Sequence, residues 1–180
     1  MINLVFDKAC STPSDINQHL PLLRSISQGV SHVTEFGVRG ICSTWAWVAS
    51  KVPQIHLYDI VHPRDFPISV PPYGWDTLMS IRSDIKFFQK STLDCEIEYT
   101  DLLFIDTLHT GEQLYKELTL HHSKVKQWII MHDTETYGHT GEIPNSTGLE
   151  TAILPFLSQY PWRLFYRTPE NNGLTILTRK

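Results

Sequence analysis

A chain of 180 residues is of ordinary size for one domain and is long enough to bury a substantial hydrophobic core. Hydrophobic residues make up 41% of the chain and charged residues 19%, which argues against a disordered protein. The formal net charge is −4 and the basic residues are scattered, so we expect no nucleic-acid partner.

The first residues match a secretory signal poorly. Met1 to Phe6 lack a basic region, and the apolar stretch is too short for a secretory signal. We therefore expect a cytoplasmic protein with no membrane partner. The three cysteines, Cys10, Cys42 and Cys95, are odd in number and widely spaced, which predicts neither a disulfide framework nor a zinc knuckle.

The first predicted element is an N-terminal helix over about residues 15–28. Thr12-Pro13-Ser14-Asp15 is a helix-start signal, and an apolar stripe with helical spacing runs from Leu20 to Ile26. We expect this helix to belong to a single domain that covers residues 1–180.

From Val30 onward, short runs rich in β-branched and aromatic residues alternate with helical patterns, which is typical of βαβ units and a parallel sheet. Asn172-Gly173 is a turn signal that predicts an antiparallel C-terminal hairpin. We therefore predict an α/β, Rossmann-like domain with a mostly parallel seven-stranded sheet. The predicted strands are Val30–Phe36, Gln54–Ile60, Ile85–Phe88, Leu102–Asp106, Trp128–Asp133, Trp162–Thr168 and Leu174–Arg179, and the predicted helices between them are Ser43–Lys51, Asp76–Arg82, Gly111–His121 and Thr147–Ser158.

Polar, mostly acidic residues end four of the five predicted parallel strands. They are Glu35, Asp59, Asp106 and the pair His132-Asp133. In an open α/β sheet, ligands bind at the carboxyl ends of the strands near the point where the strand order reverses. A single acidic strand end means little, but four along one edge define a candidate site.

The turn after the first strand is the second local signal. It reads Glu35-Phe36-Gly37-Val38-Arg39-Gly40, and its glycines let the backbone approach a ligand closely. The full dinucleotide fingerprint is absent. Glu35 would repel a pyrophosphate but suits the amino-acid end of S-adenosylmethionine. Asp59 lies about twenty residues on, where a carboxylate holds ribose hydroxyls.

Together these motifs resemble the class I S-adenosylmethionine-dependent methyltransferases. More narrowly, they resemble the branch that contains macrolide-sugar and rhamnosyl O-methyltransferases and cephalosporin-cluster methyltransferase-like proteins. The resemblance covers about Asp15 to Arg179, which includes the core over about residues 30–180. The motifs that carry it are Glu35-x-Gly37 with Ser43-Thr44, Asp59, Leu103-Phe104-Ile105-Asp106-x-x-His109, Ile129-Ile130-Met131-His132-Asp133-Thr134 and Asn172-Gly173-Leu174-Thr175-Ile176-Leu177.

The resemblance implies S-adenosylmethionine as cofactor and O-methylation of a sugar, glycan or small-molecule hydroxyl. It implies that Glu35 and Gly37 contact the methionine portion and that Asp59 contacts the ribose. It also makes His109 the general base and Asp106 its partner in catalysis. The further cofactor contacts that it predicts are Gly40, Ser43, Ser91, Thr92 and Asp106.

The resemblance does not decide whether the protein binds a metal ion. In the metal-dependent relatives, the carboxylate corresponding to Asp106 and an acidic pair corresponding to His132-Asp133 bind magnesium. This sequence has a histidine at the first position of that pair, whereas magnesium prefers oxygen ligands. The metal site predicted here therefore consists of Asp106, Asp133 and His132, with Mg²⁺ as the candidate ion.

Other classes of function remain as alternatives. A catalytically silent protein that keeps the cofactor pocket is compatible with His132. A nicotinamide-dependent oxidoreductase is disfavoured by the incomplete glycine fingerprint and the lack of a Tyr-x-x-x-Lys pair. A structural zinc site is disfavoured because the histidines show no set of four ligands with recognisable spacing.

The acceptor is not identified by the sequence. We expect its pocket to be formed largely by two irregular stretches, Val61–Gly74 and Thr134–Ser146, which follow strand ends. Members of the families that the sequence resembles commonly form oligomers, so a homo-oligomer is compatible with the sequence.

Overall fold

The computed structural model describes residues 1–66 and 74–180. Its helices are α1 (Ile2–Ser11), α2 (Leu20–Ile26), α3 (Thr44–Ala49), α4 (Trp75–Ile81), α5 (Gly111–His121) and α6 (Glu150–Gln159), and its strands are β1 (His32–Phe36), β2 (Gln54–Asp59), β3 (Lys86–Gln89), β4 (Thr100–Ile105), β5 (Val125–His132), β6 (Trp162–Thr168) and β7 (Leu174–Arg179).

The seven strands form one sheet in the order β3-β2-β1-β4-β5-β7-β6. Strands β1 to β5 are parallel, and β7 pairs antiparallel with both β5 and β6. The predicted fold class and the predicted C-terminal hairpin are confirmed. After β3 the chain returns to place β4 beside β1, so the strand order reverses between β1 and β4, where a crevice for ligands is expected.

Helices cover both faces of the sheet. On one face, residues of α1 to α4 pack on apolar side chains of the sheet, and on the other, residues of α5 and α6 do so. All five residues of β1 are buried, as are the last four of β4. Burial on both faces explains why these strands are nearly continuous apolar runs in the sequence.

The N-terminal region differs from its prediction. Residues Asn17–His19 form a 3₁₀ turn, and the α-helix starts only at Leu20, with Pro21 in its first turn, where a missing N–H costs nothing. An additional helix, α1, precedes it and buries Val5 and Phe6. The predicted helix start near Asp15 is therefore too early.

The structure describes only part of the first predicted irregular stretch and all of the second. Of the predicted loop Val61–Gly74, residues 67–73 lie outside the described residues. The stretch after β5 is longer than predicted and ends at Leu149, because the Gly148 N–H bonds to the His139 carbonyl and keeps the backbone out of α6.

Gly37 connects the fold to the candidate site. It has a φ of +78°, and a Cβ added there would collide with the backbone carbonyl of Asp106. Only glycine lets the turn after β1 lie this close to the end of β4. Within the described residues, no helix is both long and apolar enough to cross a membrane.

Candidate active site

The carboxyl ends of β4 and β5 bring four of the predicted residues together. The Nε2 atom of His109 lies 2.9 Å from Oδ2 of Asp133 and 3.2 Å from Oδ1 of Asp106. The Nδ1 atom of His132 lies 3.3 Å from the same Asp106 oxygen. Parallel neighbours in register place these strand ends side by side, as the sequence predicted.

Two further residues complete the surroundings of His109, and the sequence did not predict them. Nδ1 of His109 donates to Oε2 of Glu142 at 2.9 Å, and the ring of Tyr137 stacks on the imidazole with centroids 4.8 Å apart. Both belong to the stretch after β5, which the sequence assigned to the acceptor pocket. A loop has no periodicity that would fix which of its acids reaches the site.

Charge around His109 favours its cationic form. Burial alone would lower the pKa of His109, but hydrogen bonds to Asp106 and Asp133 outweigh it and raise the pKa to about 10. Burial likewise opposes the charged form of Asp106, yet the hydrogen bonds from His109 and His132 hold its pKa well below the usual range. His109 is therefore an imidazolium at neutral pH in this arrangement.

His132 occupies the position where the resemblance implies an acid, and it binds protein atoms on both nitrogens. Its Nε2 donates to the backbone carbonyls of Asp15, at 3.0 Å, and Asn171, at 3.3 Å. Burial lowers the pKa of His132, but the hydrogen bond to Asp106 and the charges of both aspartates raise it to about 9. His132 thus joins the N-terminal segment and the β6–β7 turn to the candidate site.

The donor set does not fit magnesium. Asp106, His109 and Asp133 offer three ligand atoms within 4.8 Å of one another, but one of them is a nitrogen. Magnesium requires near-octahedral oxygen coordination, and the N–H of His109 already lies between the two carboxylates. His132 adds a second nitrogen instead of the expected oxygen.

The Glu35 carboxylate is enclosed by protein groups in this structure. Its side chain is 0% exposed, and its carboxylate accepts hydrogen bonds from Ser43, from Thr44 at 2.9 Å and from Trp47 at 2.8 Å. Burial raises the pKa of Glu35 to about 7, although these three hydrogen bonds oppose the shift. The Ser43 hydroxyl and the Glu35 carboxylate therefore bond to each other beneath the turn, and their contacts with the cofactor stay a prediction.

Asp59 ends β2 as predicted and holds the glycine turn. Its Oδ2 accepts from the backbone N–H of Val38 at 2.7 Å and of Arg39 at 3.1 Å. Its Oδ1 accepts from Val61 N–H at 3.0 Å. A ribose contact would have to use the remaining acceptor capacity of this carboxylate. Gly40 lies at the exposed tip of the same turn, where an added Cβ would meet nothing within 4 Å.

Ser91 and Thr92 follow β3, next to the end of β2, because Lys90 N–H donates to the carbonyl of Asp59. Ser91 is partly exposed, whereas Thr92 is 5% exposed. The Thr92 hydroxyl donates to the buried carboxylate of Glu117 at 2.6 Å. The Thr92 hydroxyl is thus bonded within the protein, whereas Ser91 is accessible. That both residues lie near adenine stays a prediction.

Comparison with known proteins rests on structure, since no protein-family model and no curated protein matches the chain. A Staphylococcus aureus protein assigned as a caffeoyl-CoA O-methyltransferase superimposes with a TM-score of 0.68 at 11% identity over 91% of this chain and 83% of that one. The chain has the class I methyltransferase fold.

Two structures with bound cofactor or product share this fold. The S-adenosylhomocysteine-bound methyltransferase PaMTH1 of Podospora anserina matches with a TM-score of 0.59 at 14% identity, over 97% of this chain and 81% of that one. Human N-acetylserotonin methyltransferase, in complex with S-adenosylmethionine, matches with a TM-score of 0.61 at 14% identity, over 92% of this chain and 52% of that one. At these identities the likeness concerns the fold.

Proposed function

We propose that the protein is an S-adenosylmethionine-dependent methyltransferase that methylates a hydroxyl group of a sugar or another small molecule. One observation carries the proposal: the Asp106, His109 and Asp133 cluster lies at the carboxyl ends of β4 and β5, next to the Gly37 turn, in a class I methyltransferase fold. This edge, at the reversal of strand order, is where such sheets bind ligands.

Charge at the cluster supports a cationic cofactor. The three carboxylates of Asp106, Asp133 and Glu142 outnumber the two imidazoles that contact them, those of His109 and His132. S-adenosylmethionine supplies a methyl group on a positively charged sulfur when it is bound. A small negative excess in a partly buried site attracts such a charge more than a neutral site would.

The protein's part in the reaction is to align the acceptor and to take its proton. Only neutral His109 can act as the general base, whereas the imidazolium form is held by Asp106, Asp133 and Glu142. We propose that an acceptor hydroxyl takes the place of one carboxylate at Nε2. The loss of that partner lowers the pKa of His109, so the imidazolium releases its Nε2 proton to solvent while Glu142 fixes the ring through Nδ1. The neutral Nε2 then accepts the proton of the hydroxyl group whose oxygen takes the methyl group.

A silent cofactor-binding protein is the second candidate. It is favoured by the same two contacts that restrict the first: His109 is held as an imidazolium, and Asp59 already binds the glycine turn. Such a protein would bind S-adenosylmethionine without transferring its methyl group.

Two measurements test the proposal. Calorimetric titration with S-adenosylmethionine, S-adenosylhomocysteine and NAD should show binding of the first two ligands only. Release of S-adenosylhomocysteine should then be followed with a panel of monosaccharides, glycosides and phenols as acceptors. Binding without transfer to any acceptor would favour the silent protein, and selective binding of NAD would refute both candidates.

A further inference from the structure

Besides Glu35, a second fully buried carboxylate in the described part of the chain lies outside the cluster at the ends of β4 and β5. Glu117, on α5, is 0% exposed, and burial raises its pKa. Its hydrogen-bond partners in the described part of the chain are all neutral side chains. Placing a carboxylate in the interior costs free energy that an apolar side chain of similar size would not.

Three side chains from different segments donate to this carboxylate. Oε1 accepts from Thr92 Oγ1 at 2.6 Å, from Thr107 Oγ1 at 2.9 Å and from Gln113 Nε2 at 2.9 Å. The Thr107 hydroxyl also lies 3.0 Å from Oε2. Glu117 thus links α5 to the loop after β3 and to the loop after β4.

Both loops belong to the proposed site. Thr92 neighbours Ser91, whose loop begins beside Asp59, the residue expected at the ribose. Thr107 directly follows Asp106 in the chain. The carboxylate of Glu117 therefore fixes the loop expected near the adenine relative to the loop that leads to His109.

Helix α5 is built for this contact. Gln113, Glu117 and His121 follow one another at intervals of four residues, which places them on one face of the helix. His121 Nε2 donates to the backbone carbonyl of Thr92 at 2.7 Å, one turn beyond Glu117. One helix face thus holds Thr92 through both its hydroxyl and its carbonyl.

We propose that Glu117 is a positioning residue that shapes the adenosine end of the cofactor site by holding the Ser91-Thr92 loop against Thr107. The inference rests on the proposed function. It assigns to a residue without ligand contact the task of joining the cofactor side of the site to the catalytic side.

The test compares Glu117→Gln with Glu112→Gln, a substitution of an exposed glutamate on the same helix. Calorimetry measures the affinity of each variant for S-adenosylhomocysteine and for 5′-methylthioadenosine, which lacks the amino-acid end. We expect Glu117→Gln to bind both ligands about tenfold more weakly, because a neutral amide oxygen accepts the three hydrogen bonds more weakly than a carboxylate does. Glu112→Gln should bind as the parent does.

Hydrogen exchange of the ligand-free protein gives a readout that does not depend on binding. In Glu117→Gln, amides of the loops around Thr92 and Thr107 should exchange faster, while those of β7 should not. Thr92→Val and Thr107→Val each remove one donor to the Glu117 carboxylate. If Glu117→Gln does not fold, these two variants replace it in both measurements. The affinity losses of Thr92→Val and Glu117→Gln should be less than additive in the double variant.

The outcomes separate this inference from the proposed function. Unchanged affinity in Glu117→Gln would overturn the positioning role even if the melting temperature fell, because a purely structural residue would behave in that way. Unchanged exchange in both loops would overturn it as well. A parent protein that binds neither ligand would overturn the proposed function and, with it, the role of Glu117.

Discussion

The carboxylate of Asp59 accepts a 2.7 Å hydrogen bond from the backbone N–H of Val38 and so joins the end of β2 to the glycine turn after β1. We therefore predict that Asp59→Ala weakens binding of S-adenosylmethionine by roughly ten- to a hundredfold, the effect of losing a buried hydrogen bond to a charged group. Calorimetric titration measures this change. Asp65→Ala, at an exposed aspartate of the same loop, is the control, and equal affinity in both variants would contradict the assignment.

His109→Ala should lower turnover by roughly 10²- to 10⁴-fold with a verified acceptor, the usual contribution of a general base, while the affinity for S-adenosylmethionine is retained. His139→Ala provides the matched control, because the side chain of His139 is 89% exposed and lies in the loop that covers His109. If His109→Ala kept the parent's turnover, or lost it only through unfolding, His109 would be a structural residue.

Methyl transfer should persist after exhaustive treatment with EDTA. The reason is the donor set: two nitrogens lie among the groups that face Asp106, and magnesium takes oxygen ligands. Turnover is measured before chelation, after chelation and after Mg²⁺ is restored. A loss of turnover that Mg²⁺ alone reverses would show that His109 and His132 rearrange to admit the ion.

The raised pKa of Glu35 predicts that the stability of the protein depends on pH. Its pKa is 4.5 in the ordinary state and about 7 in the folded protein, so the folded state binds the proton more tightly. This contribution is fully present below pH 4.5 and is lost as the pH rises through about 7, with a total on the order of 3 kcal/mol. Denaturant unfolding of the parent and of Glu35→Gln at pH 5 and pH 8 measures it.

The glutamine variant should lose less stability than the parent between those two pH values, because it has no proton to release. Comparing the two proteins cancels the titration of other groups. A parallel decline would show that Glu35 does not titrate in this range.

Arg39 lies in the glycine turn with a φ of +40°, a conformation that disfavours side chains. Arg39→Gly should raise the free energy of unfolding by roughly 1 kcal/mol, since glycine adopts this conformation without strain. The ion pair that is lost, 3.6 Å from Asp15, is exposed and contributes little. Arg39→Ala removes the same side chain without relieving the backbone and should show no such gain in thermal or denaturant unfolding.

The pattern of strands and helices in the sequence predicted most of the fold. Alternation of apolar runs and helices predicted the sheet, and the polar strand ends predicted that Asp106 and Asp133 would meet. These signals work because parallel neighbours end at one edge. No local pattern contained the contact between His109 and Glu142, which are 33 residues apart and joined through a loop.

Glu35 shows a different limit. The sequence correctly placed a carboxylate at the end of β1 but could not tell whether it faces a ligand or the first turn of α3. That choice depends on the side-chain direction and on Trp47, whose indole N–H needs a buried acceptor. Residue type and spacing are compatible with both orientations.

The contacts of His132 also bear on how the protein is made. The ring is bound by the carbonyl of Asp15 near one end of the chain and by that of Asn171 near the other. During synthesis from the N-terminus, the glycine turn and the strands that carry Asp106 and Asp133 all emerge before Asn171 does. A nascent chain released before that point would contain the proposed reactive groups but lack one of the two carbonyls that anchor His132.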